Sequence, residues 1–275
     1  MDLLRGPGEP PRIVAHRGAS DLAPENTLAA FERAREDGAD IIELDVQVSR
    51  DGEVVVFHDE SVERTTGGRG RISDLTLEEL RALDAGSWFA PRFAGEPIPT
   101  LGEVLAWNAE GEVGLFLELK YDRAQPELDP RLVPAVVDLV REYDLVERVA
   151  LISFRTRPLL EALALLPALT LGPMDRRDPW GQRWAWLTRG LPWLVHFQAL
   201  RRRLLRPLRW TREVGGTMLS PNVALVTPVL VEASHELGIP VCPGGFRWDY
   251  PRMIAMGVDT ISSNDPRALR ERYLE

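Results

Sequence analysis

Short apolar runs rich in Val, Ile and Leu alternate along the chain with longer stretches in which apolar residues recur every three or four positions. The first pattern reads as buried strands and the second as amphipathic helices. Strands are predicted at residues 12–16, 41–48, 114–120, 149–154, 169–173, 216–220, 240–242 and 260–262, and helices at 24–37, 101–109, 130–143, 157–166, 227–237, 249–256 and 266–273. Several of the helices open on Thr, Asp or Pro and close on Gly, as caps require. Eight strands alternating with helical stretches within 275 residues predict a TIM (β/α)8 barrel of the α/β class in one domain spanning 1–275. A doubly wound open sheet has the same alternation, but no G-x-G-x-x-G follows the first strand to recommend it.

Two insertions interrupt the repeat, both after a strand's C-terminal end, where barrel enzymes keep their sites. The first, 59–99, follows an extra β ribbon at 53–58 turned at Ser49-Arg50-Asp51-Gly52. The second, 176–212, holds ten Arg against one Asp178 and five of the eight Trp. From Pro192 onward Leu194, Phe197, Leu200, Leu204 and Leu208 keep helical spacing among the arginines, the pattern of a basic amphipathic helix whose last turn Pro207 would strain. It reads either as a lid lying on an anionic membrane surface or as an oligomer contact or barrel-packed helix, and the oligomeric state stays open.

Net charge is −9, and the +9 of the second insertion leaves −18 on the rest, so a general nucleic-acid partner is excluded. The lone Cys242 rules out an internal disulfide and a thiolate zinc cluster. With no secretory leader pattern and no run of 18 apolar residues, the chain reads as cytoplasmic, with peripheral membrane contact as the variant. Of 33 basic residues only Lys120 is not Arg.

Side chains two apart in a strand share a face, so Glu43 and Asp45 point into the barrel, as do Glu118 and Lys120, while His16 ends the first strand. Three carboxylates gathered in one mouth repel one another unless a cation neutralises them. All-oxygen ligands favour one hard divalent ion, Mg²⁺ or Ca²⁺, with Mn²⁺ as a third choice; ion pairs with Arg17 and Lys120 are the alternative. His58 follows the ribbon, and a pair of imidazoles with His16 would serve as acid and base in a phosphodiester cleavage. His196 and His235 read as structural.

H16-R17-G18, P24-E25-N26-T27, E43-L44-D45, H58-D59, R64-T65-T66-G67, P99-T100-L101 and E118-L119-K120, in this order, resemble the glycerophosphodiester phosphodiesterase family, densely from about residue 13 to 121. The resemblance implies a divalent cation on Glu43, Asp45 and Glu118, acid and base from His16 and His58, and phosphate held by Arg17 and Lys120. It also implies attack by the glycerol 2-hydroxyl to give a cyclic phosphate, which water opens to glycerol phosphate and an alcohol. Which histidine is the first base is left open. In place of the family's Trp-Thr-Val-Asn run stands Val241 to Trp248, and Asn264 replaces an Asp before the last helix. Neither departure is expected to touch the metal or His set. A lysophospholipase D-like action on lipid-linked diesters and an inactive, ligand- or partner-binding barrel are the alternatives.

Overall fold

The computed structural model describes residues 1–6, 8–109, 111–120, 129–174, 204–245 and 249–275. Six parallel strands run side by side in the order β6 (Thr170–Pro173), β5 (Val149–Ser153), β4 (Gly114–Leu119), β2 (Ile41–Val48), β1 (Arg12–His16), β7 (Thr260–Ser263). The sheet closes through two further staves that make only isolated parallel bridges, Met174 to Ser220 and Leu219 to Val241. The Asp259 amide, donating to the Val241 carbonyl at 2.9 Å, carries the ring on to β7. The predicted TIM barrel is therefore the observed fold. Pro221, Pro240 and Pro243 explain the two short staves: proline has no N–H to give a ladder.

Helices α1 (Leu28–Glu36), α4 (Leu101–Ala109), α5 (Leu132–Glu142), α6 (Thr156–Leu165), α7 (Arg206–Glu213), α8 (Pro228–His235), α9 (Tyr250–Met256) and α10 (Pro266–Tyr273) follow the staves in turn. Ile42, Leu44, Val46, Leu115, Leu117 and Leu119 lie on the outer face of the sheet in one core cluster with Phe31, Leu101 and Val136 from the helices. Each fully buried Leu or Ile is worth about 1.5–3 kcal/mol over exposure. A one-residue slip of β2 would put its acids into that core, so burial of the outer face fixes which way the acids point. Leu3, Val14, Ile41, Phe116, Ile152 and Met218 form the cluster inside the barrel.

The predicted ribbon is β3 (Val54–Val56), antiparallel to β2. The first insertion carries α2 (Glu63–Thr66) and α3 (Leu77–Arg81) on a small core of its own, with Val55, Phe57, Ile72, Leu80 and Ile98 buried together. Most of the second insertion, and with it the basic helix expected from Pro192, lies outside the described residues. Where it re-enters, Pro207 sits in the first turn of α7, where a missing N–H costs nothing, and not in a strained last turn. Among the described residues, no helix is long and apolar enough to cross a membrane.

Candidate active site

β1 ends on His16, and the chain then turns through two left-handed residues, Arg17 at φ 57° and Gly18 at φ 81°. A Cβ on Gly18 would fall 2.7 Å from the Ala30 backbone, so only glycine lets the loop lie against α1. The turn aims the Arg17 amide at Glu43 Oε2, 3.0 Å away, and brings Arg17 Nε within 3.4 Å of Asp45 Oδ2. A non-glycine residue at positive φ costs free energy and is kept where a function uses it. Asn26, also left-handed at φ 58°, donates from Nδ2 to Asp45 Oδ2 at 2.8 Å and accepts the Asp45 amide at 3.2 Å.

Glu43, Asp45 and Glu118 are 6%, 1% and 9% exposed, and their carboxylate oxygens lie within 4.8 Å of one another. Lys120 Nζ stands 3.3 Å from Asp45 Oδ1 and 3.0 Å from Glu118 Oε1. Three acids thus face two strong cations, and one of these, Arg17, is shared with Glu25 at 2.9 Å. Ion pairs form, but three carboxyl groups outnumber the two cations that face them. Beyond its ion pair with Lys120, Asp45 Oδ1 is buried without a hydrogen bond. A carboxylate oxygen left over in a cluster of hard donors fits a divalent cation.

Titration behaviour tells the same story. Burial, then the charges of Asp45 and Glu118, hold the Glu43 carboxyl well above the usual carboxylate range. Burial also raises Glu118, though Lys120 resists it. Asp45 goes the other way: against the upward push of burial, Lys120, His58, Arg17 and the Asn26 amide bring it down to about 2. In the absence of a cation Glu43 and Glu118 therefore gain protons on folding. Their contribution to stability is full below the ordinary carboxylate range and is lost as pH rises through the raised values. A cation must displace those protons, so its stabilisation should grow with pH, reaching about 2.7 kcal/mol at a hundredfold excess over its Kd. Thermal melts with and without Mg²⁺ or Ca²⁺ at about pH 5 and about pH 8 check this: the rise in Tm on adding cation should be larger at the higher pH.

The hairpin returns the chain over the mouth and delivers His58, held by Gln47 Nε2 donating to the Phe57 carbonyl at 2.7 Å and the Asp59 carbonyl at 2.8 Å. His58 Nδ1 lies 2.6 Å from Asp59 Oδ1, and His16 Nδ1 lies 3.0 Å from Asn264 Oδ1. Asn264 Nδ2 donates to Asp21 Oδ1 at 3.2 Å, which fixes the way the amide faces. Both Nδ1 atoms therefore face acceptors and carry the ring proton, leaving each Nε2 as the free base. Burial lowers both imidazoles below their ordinary value; the Arg17 charge adds to this at His16, while Asp45 opposes it at His58. Contrary to the expectation from the sequence, the Asn264 departure does touch the His set: it is the partner of His16.

His16, Arg17, Glu43, His58, Glu118 and Lys120 line one cavity of about 590 Å³ at the C-terminal ends of the strands, with Asp45 buried beneath its edge. The fold brings all seven residues singled out in the sequence to one place. His235 lies elsewhere, bonded through Nε2 to Asp259 at 2.8 Å, and His196 and Trp248 fall outside the described residues. Sequence reasoning assigned no role to Asn26, Glu25, Asp59, Arg64 or Asn264. Four of them stood in the quoted motifs, but nothing local says which atoms they meet.

Fold and site together define a barrel hydrolase of phosphodiesters. A family model described as the glycerophosphoryl diester phosphodiesterase family matches residues 16–268, and the chain belongs to that family. It is 36% identical over 94% of its length, and 95% of the relative's, to a glycerophosphodiester phosphodiesterase of Caldanaerobacter subterraneus subsp. tengcongensis. A phosphodiesterase of Oleispira antarctica, solved in complex with the product sn-glycerol-3-phosphate, superposes with a TM-score of 0.76 at 27% identity, covering 95% of this chain and 96% of that one. The crystal structure of a glycerophosphodiester phosphodiesterase from Agrobacterium tumefaciens gives 0.72 at 29%, covering 94% and 97%.

Proposed function

We propose that the chain hydrolyses glycerophosphodiesters to glycerol phosphate and an alcohol, with His16 and His58 as acid and base beside a divalent cation on Glu43, Asp45 and Glu118. The observation that carries the reading is the convergence of both imidazoles, each held through Nδ1, on one cavity floored by the acid cluster, with His16 Nε2 4.0 Å from Glu43 Oε2. The relative that holds sn-glycerol-3-phosphate supports the glycerol phosphate half of the substrate.

Each residue's part follows from its surroundings. Asp59 is ionised, drawn below its ordinary value by Arg64 and His58 against the effect of burial, and a carboxylate behind an imidazole stabilises the imidazolium. The Asn264 amide, accepting from His16 Nδ1, also favours the imidazolium but brings no charge to it. We therefore assign His58 to remove the proton from the attacking hydroxyl, and His16 to give the departing alcohol the Nε2 proton that it carries as the imidazolium. Arg17 and Lys120, now turned on Asp45 and Glu118, would hold the phosphate oxygens once those acids are neutralised. A bound Mg²⁺ or Ca²⁺, with Mn²⁺ as a substitute, would supply Lewis acidity toward the phosphate and the attacking oxygen.

The test is release of glycerol phosphate from glycerophosphocholine, glycerophosphoethanolamine and a lysophospholipid. Turnover of the first two is expected. Cleavage of the lysophospholipid alone would move the activity to lipid-linked diesters, and no cleavage of any would defeat the proposal.

A further inference from the structure

One guanidinium joins two loops of the site. Arg64, on α2, gives Nη1 and Nη2 to the two oxygens of Glu25 at 2.8 and 2.7 Å, and Nε and Nη2 to the two oxygens of Asp59 at 2.5 and 3.1 Å. Glu25 stands 39 residues before Arg64, in the β1–α1 loop; Asp59 stands just after the hairpin. Each carboxylate then reaches a group that lines the cavity. Asp59 Oδ1 meets His58 Nδ1 at 2.6 Å, and Glu25 Oε1 receives Arg17 Nη1 at 2.9 Å. Neither Glu25, Asp59 nor Arg64 is itself among the lining residues.

The geometry points to Arg64 as a positioning residue that sets the His58 ring through Asp59 and the Arg17 guanidinium through Glu25, so that proton transfer and phosphate binding hang on one strut. This rests on the proposed hydrolysis for its kinetic consequences. The chemistry calls for arginine: a planar fork meets two carboxylates in paired hydrogen bonds, whereas lysine offers a point charge that cannot orient both. Arg64 is 44% exposed but Glu25 and Asp59 are 13% and 27%, so this bidentate network adds stability as well as orientation, and the two are separated by experiment.

The experiment uses the full chain with Arg64→Lys and Arg64→Ala. Partners that orient a working group typically change activity by about 10- to 100-fold, and both variants should lose kcat by that factor and raise KM several-fold while staying folded at the assay temperature. Double-mutant cycles locate the effect. On an Asp59→Asn background Arg64→Ala should cost little further kcat, and on a Glu25→Gln background little further KM. A role in stability alone predicts additive losses tracking Tm. Nitrogen NMR of the His58 ring gives a readout that needs no turnover: the Nδ1–H form should dominate in the wild type and become mixed in Arg64→Ala. Wild-type kinetics in Arg64→Lys, additive cycles, or an unchanged His58 tautomer would overturn the strut. A wild type that releases no glycerol phosphate overturns the hydrolysis instead, and the tautomer measurement then decides on Arg64.

Discussion

His58→Ala is expected to lower turnover by about a hundred- to ten-thousand-fold, the usual contribution of a placed acid or base, and to leave Tm within a few degrees. The ring is held by its neighbour Asp59, and its side chain is 30% exposed, so removing it opens no sealed cavity. His16→Ala should lose turnover over the same range, since its ring meets Asn264 at the open rim of the barrel and its side chain is 33% exposed. Steady-state kinetics beside a thermal melt separate loss of chemistry from loss of fold. Full activity in either variant would overturn the two-imidazole assignment.

Glu43→Gln is expected to abolish turnover and weaken cation binding more than about a hundredfold, beyond what removing a mere supporting partner costs, while the cation-free protein keeps or gains stability. Burial and the acids beside it favour the protonated form of Glu43 when no cation is present, and an amide imitates that neutral form. Asp45→Asn should be equally dead but less stable. Its carboxylate is ionised between Lys120 and Arg17, and removing one partner of a buried ion pair costs about 3–5 kcal/mol. Opposite stability effects from neighbouring acids of one strand, with the same loss of activity, are hard to explain unless the two acids serve a common ligand. Calorimetric titration with Mg²⁺ or Ca²⁺ and a melt of each cation-free variant read both halves of the expectation.

What could be read from the sequence follows from period. Glu43 and Asp45 are legible because side chains alternate in a strand and the apolar residues between them must face the helices. Glu118 and Lys120 follow the same rule one strand over, in register with Asp45 opposite Glu118. The staves at 216–220 and 240–242 lie where the apolar runs place them but thin out to single bridges around their prolines. What stayed hidden depends on loops. Asn26 reaches Asp45 because it adopts a left-handed conformation, and no pattern of polarity encodes that. Asn264 reaches His16 across 248 residues, and only closure of the barrel brings the first strand beside the last. The Glu25, Arg64 and Asp59 junction needs two loops and a short helix to meet, so its motifs show in the sequence without their purpose being visible.

All of this depends on the excess of buried acid over base at the mouth of the barrel and on the cation it would attract. The most direct measurement is turnover of glycerophosphocholine by protein stripped with a chelator and titrated back with Mg²⁺, Ca²⁺ or Mn²⁺. Turnover should vanish on stripping and return as a single site fills, in the wild type and not in Glu43→Gln. Undiminished turnover in the stripped protein would contradict this.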